Sequence, residues 1–182
     1  MAQYLGDKQL VAMLRDPATR QKGFAQMVGK YSSKLYWQLR HLVTWHDDAD
    51  DALQNTFIKA WSALDTFRGE SSLSTWLYRI AANEGLAILQ RRRDTMSIDD
   101  IDANLENMLE SDTYFDGDEV QKQLQRALQT LPPKQRQVFS LRYYDNMKYE
   151  DMATVLDTSV GALKASYHIA VKKIEEFFDA AD

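Results

Sequence analysis

No cysteine occurs in these 182 residues, which excludes disulfides, thiolate metal sites and cysteine nucleophiles and leaves nothing that calls for an oxidising compartment. No uncharged apolar run approaches the roughly 20 residues of a membrane span, and the opening MAQYLGDK has no apolar signal core. A cytoplasmic protein without membrane insertion is therefore expected. Seven glycines and three prolines, two of the prolines adjacent, leave few breaks and favour long helices. Basic residues are missing from one place in particular. Between Arg93 and Val120 there are ten carboxylates and no Lys or Arg.

That gap organises the chain. Lys plus Arg number 13 against 9 Asp plus Glu in residues 1–93, 0 against 10 in 94–119, and 9 against 8 in 120–182. The formal net charge of −5 thus conceals a positive, negative, positive layout, the pattern of an acidic tether between two polyanion-facing modules. With 45% hydrophobic and 11% aromatic residues, each module has material for a core.

Apolar periodicity then places helices. A short one covers about 8–15. From Phe24, the positions Met27, Val28, Tyr31, Leu35, Leu39, Leu42 and Val43 repeat at three- and four-residue steps. The run Asp47-Asp48-Ala49-Asp50-Asp51 suits a helix start, where carboxylates meet unpaired N–H groups and the positive dipole end. Arg68 to Ser72 breaks the pattern, and Leu73, Trp76, Leu77, Ile80 and Ala81 restart a helix that reaches Arg91-Arg92-Arg93. Residues 94–119 have weak periodicity and read as a flexible linker with at most a short helix. As a coil these 26 residues average roughly 28 Å end to end and extend to about 90 Å. Beyond them come helices at 120–131, 134–144, 149–156 and 160–178. The expected fold is all-α: two small helical domains, 1–93 and 120–182, joined by the acidic linker 94–119.

The last two helices match a helix-turn-helix, with small Ala153 and Gly161 permitting close approach. The second would enter the major groove. Ser159 can contact phosphate, and Lys164, Ser166, His168, Lys172 and Lys173 supply polar and positive groups. An ordinary antiparallel helix pair with solvated lysines fits the same spacing. In the first half, Trp61, Phe67, Trp76 and Tyr78 with the polar loop 68–75 suit unpaired or melting DNA, since aromatics stack on bases while Arg tracks the backbone; aromatics at helical spacing also serve as core. There is no Gly-rich phosphate loop, nucleophile elbow or His-pair metal motif, and His41 and His46 lie too far apart to share a metal. No catalytic residue, metal or cofactor is expected.

Taken together, Asp47 to Trp61 (DDADDALQNTFIKAW), Phe67 to Ser71 (FRGES) and Thr75 to Glu84 (TWLYRIAANE) resemble bacterial extracytoplasmic-function sigma factors. Leu131 to Phe139 (LPPKQRQVF), Tyr149 to Ala153 (YEDMA) and Ser159 to Lys164 (SVGALK) are similar to the same family's C-terminal promoter-binding domain. The resemblance covers about 20–93 and 120–178. It implies docking on core RNA polymerase through Asp50, Asp51, Gln54, Asn55 and Phe57. It also implies capture of the melted −10 element by Arg68, Ser72, Thr75, Trp76 and Asn83, and reading of the −35 duplex by the second domain, with room for an anti-sigma partner. The linker would thread along a basic polymerase groove. Three departures weaken the expected DNA grip: Lys148 stands where a Ser or Thr cap is usual, Gln90 replaces a frequent Arg, and Ile169 and Val171 occupy positions where basic residues are common. A helical adaptor that binds polymerase or a regulator without reading DNA is the alternative; a stand-alone repressor leaves residues 47–83 unexplained.

Overall fold

Leucine and alanine at helical spacing dictate how the first four helices meet. The computed structural model describes residues 4–115 and 117–181, and every regular element among them is helical. Helix α1 (Asp7–Arg15) lies on α2 (Arg20–Val43), which buries Met27, Tyr31, Leu35, Leu39, Leu42 and Val43. Helix α3 (His46–Ala63) presents Ala49, Ala52 and Ala60, small enough to let it pack on both α2 and α4 (Leu73–Thr95). Gly85 serves the same end: a Cβ there would stand 2.6 Å from a Leu42 methyl, so even alanine would force that side chain to shift. Ser72 caps α4 by accepting the Thr75 N–H at 3.1 Å, satisfying one of the unpaired donors of its first turn.

The second half contains α6 (Glu119–Thr130), α7 (Pro133–Tyr143), α8 (Tyr149–Leu156) and α9 (Val160–Asp179). Leu124, Leu128, Leu131, Phe139, Ala170 and Ile174 form its own core. Pro133 occupies the first turn of α7, where its missing N–H costs nothing.

Two expectations are corrected here. The acidic segment is not coil: residues Ile98–Ser111 form a 14-residue helix, α5. Ser97 caps it by accepting the Asp100 N–H at 3.1 Å, Asp99 and Asp100 favour its positive end, and Leu105 and Leu109 bury against Phe115, Trp45 and Met108. Nor do the halves stand apart at the distances a coil allows. Val138, Leu141, Met152, Val155 and Leu163 join the core of α1–α4, with α8 lying on α4 and α7 on both α2 and α4. Among the described residues no helix is long and apolar enough to cross a membrane.

Candidate functional site

Three polar surfaces and one buried polar knot emerge. The first surface is the start of α3. Asp50, Asp51, Gln54 and Asn55 are exposed, and Asp50 meets His46 Nε2 at 3.2 Å, one turn back. Asp51, Gln54 and Asn55 share a shallow cleft with Arg91, Arg92 and Thr95 of α4. Phe57 departs from this group: it is half-buried against the core, edge-on to Phe24 with ring centroids 6.3 Å apart. Arg92 is also structural, ion-paired to Asp48 and lying 4.1 Å over the Trp45 ring, whereas Arg91 and Arg93 are exposed.

The second surface is the loop before α4. Gly69 turns the chain at φ 77°, a left-handed value that glycine adopts freely, and Arg15 Nη2 donates to the Arg68 carbonyl at 3.3 Å. Arg68, Glu70, Thr75, Trp76 and Arg79 then line a cleft of about 340 Å³ that Thr154 of α8 borders from the second half. Trp76 is half-buried, tilted against Phe67 at 4.8 Å. Ser72 and Thr75 are engaged with each other: besides the cap, Ser72 Oγ donates to Thr75 Oγ1 at 2.8 Å. Asn83 is exposed two turns beyond Trp76. Arg79, absent from the sequence reading, is exposed in the same cleft; its place three residues after Trp76, on one helix face, is the signal that would have found it.

The third surface is α9. Asp157 closes α8 at φ 50°, and Ser159 opens α9 by accepting the Ala162 N–H at 3.2 Å. Lys148 makes no side-chain cap on α8, as its residue type predicts. Lys164, His168 and Lys172, four residues apart, form an exposed stripe. Lys164 Nζ lies 5.7 Å over the Tyr149 ring, and Lys172 approaches Glu176 at 3.9 Å. Ser166 and Lys173 are only partly exposed on another flank, where Lys173 Nζ donates to Gln135 Oε1 of α7 at 3.1 Å. The structure thus groups three of the five polar α9 candidates and separates two.

The knot was not anticipated. Thr44, fully buried at the end of α2, donates to Gln125 Oε1 at 3.0 Å and accepts from Arg136. Gln137 Nε2 donates to the Ala82 carbonyl of α4 at 2.8 Å. Burial pushes the Arg136 guanidinium down from its usual range. In the turn between α7 and α8, burial pushes the Asp145 carboxyl up to about 7.

Comparison with known proteins fits this layout. Residues 27–95 match the family model described as sigma-70 region 2, and residues 121–174 match sigma-70 region 4; α5 lies outside both. The chain is 31% identical to the ECF RNA polymerase sigma-E factor of Salmonella typhimurium over 96% of its own length and 95% of that protein's. It is 31% identical to the RNA polymerase sigma-H factor of Pseudomonas aeruginosa over 93% and 92%. Among solved structures, CnrH in complex with the cytosolic domain of CnrY is similar at a TM-score of 0.71 and 27% identity, covering 97% of this chain and 99% of that one.

Proposed function

Because the chain belongs to the extracytoplasmic-function sigma factors of the sigma-70 family, a family of transcription regulators rather than catalysts, we propose a division of labour among its surfaces. Residues 1–93 dock on core RNA polymerase through Asp50, Asp51, Gln54 and Asn55, with Phe57 bracing the helix from within, and engage the −10 element with Arg68, Trp76, Arg79 and Asn83. Ser72 and Thr75 hold the end of α4 in shape for that contact. Residues 120–182 read the −35 duplex through Ser159, Lys164, His168 and Lys172, with Ser166 and Lys173 on the flank. Residues 94–119 join the two, and the protein works in the cytoplasm with the polymerase.

The observation that carries this reading is the exposed Lys164, His168, Lys172 stripe on the second helix of a helix-turn-helix, on the same chain as the aromatic and arginine cleft of α4. Two lysines with a histidine between them along one helix face suit phosphate and base edges. An anti-sigma protein is a further partner in the same reading, since CnrH, alike over nearly its whole length, is bound by the cytosolic domain of CnrY. Run-off transcription with core polymerase tests the assignment. A promoter-dependent transcript that requires this protein is expected; binding to core without promoter dependence would establish the adaptor reading instead.

A further inference from the structure

A pocket of about 480 Å³ opens where the two halves and α5 meet, within the size range of small-molecule sites. Ile101 and Leu105 of α5 form one wall, and Trp45, Leu89, Leu131 and Phe177 contribute apolar surface from other parts of the chain. Half of its charged residues already have ionic partners. Arg92 is held by Asp48, and Arg126 Nε and Nη2 grip the two Glu106 oxygens at 2.7 and 2.8 Å. Arg93 and Asp102 are exposed to solvent.

Arg136 differs from these. It lines the pocket with only 2% of its surface exposed. Its Nη2 reaches the neutral hydroxyl of Thr44, and its Nε has no acceptor. The ionisable group that acts most on it is the Tyr144 phenol, not a carboxylate. A guanidinium withdrawn from water is costly unless an anion or a full set of acceptors compensates it. Here a buried cation with no carboxylate partner borders an apolar cleft.

We propose that this pocket binds an elongated apolar molecule with a single carboxylate head, the chemical class of a medium-chain fatty acid. The planar carboxylate sits on Arg136, whose fork matches its geometry, and the chain lies along Leu89, Ile101, Leu105 and Phe177. Because these walls belong to both halves and to α5, the bound molecule ties the three together. The site is independent of promoter reading and is tested on the free, full-length chain.

The test is isothermal titration with dodecanoate, dodecan-1-ol and acetate, each below its aggregation threshold. One dodecanoate per chain is expected, at least about tenfold tighter than the alcohol because only the acid forms a charge-assisted pair, and acetate alone should not bind. Arg136→Gln should bring the acid down to the alcohol's affinity. Since Arg136 is buried and its replacement stresses folding, Ile101→Glu at a half-exposed position provides the second variant; it should repel the acid more than the alcohol while circular dichroism stays helical. Equal affinity for acid and alcohol, binding of neither, or acid binding that Ile101→Glu leaves intact would overturn the proposal.

Discussion

Thr44 ends α2 at φ 72°, a left-handed value that a β-branched residue adopts only when its surroundings impose it. The two-residue link from α2 to α3 holds it there, and its hydroxyl donates to Gln125 and accepts from Arg136. Thr44→Ala is expected to lower unfolding stability by about 1–3 kcal/mol, because buried partners lose their bond while the strain stays. Thr44→Gly loses the same bonds but relaxes the backbone, so it should be the milder variant in urea denaturation; an alanine variant as stable as the glycine one would contradict this. Lys164 is exposed in the first turns of α9. If it meets a base edge, Lys164→Ala should weaken −35 binding by about 1–3 kcal/mol and relax preference at one position, whereas loss of a phosphate contact would weaken all sequences alike and cut the salt dependence by about one ion. Binding titrations across sequence and salt series separate the two. Motif spacing alone places Ser159 before α9 and Lys164 in its first turns, where the structure has the cap and an exposed side chain. Thr44 and Arg136 were not legible in that way, since their meeting joins residues 92 apart in sequence and nothing local announces a buried polar contact.

At the scale of the element, α5 shows where periodicity misleads. Its apolar positions, Ile98, Ile101, Leu105, Met108 and Leu109, repeat too weakly to declare a long helix, and dense acidity without basic partners reads as a tether. The compensation is remote: Arg40 pairs with Asp112 and Arg126 with Glu106. Both basic residues lie outside the segment, so a local count of charge could not include them. The α4 end and the helix-turn-helix were read more closely, because each carries its own cap and break: Ser72 before α4, Asp157 and Ser159 between α8 and α9. The contrast gives a measurable outcome. Leu105, 2% exposed, should cost about 2–5 kcal/mol when changed to Ala if α5 is packed as described, and nothing if the segment is a free coil. Thermal unfolding of Leu105→Ala decides between them.

On the scale of the whole molecule, the charge layout gave two modules and a joint, yet not their shared core. Met152 and Val155 face α4 rather than a core confined to their own half, and an amphipathic stripe looks the same whichever partner covers it. Asp145 reports on this contact. It sits in the α7–α8 turn with Oδ2 lacking a partner, close enough to influence the Tyr78 hydroxyl of α4, itself unpartnered, and to feel Lys34 of α2. Burial raises its carboxyl from 3.8 to about 7, and the Lys34 ammonium offsets only part of that. Between those values the folded chain holds a proton that the unfolded chain has lost, so stability must fall as pH rises through this window and level off above it. The loss is about 2–4 kcal/mol once residual solvent contact is allowed for. Asp145→Asn cannot titrate. It should match the parent near the acid end of the window and exceed it at pH values well above 7, and subtracting the two curves removes the opposing contributions of Asp7 and Glu106, whose pairing lowers their carboxyls. Chemical denaturation of both proteins at a series of pH values measures the difference. Parallel curves would mean that Asp145 is solvated in solution and that the turn between α7 and α8 does not press against α4.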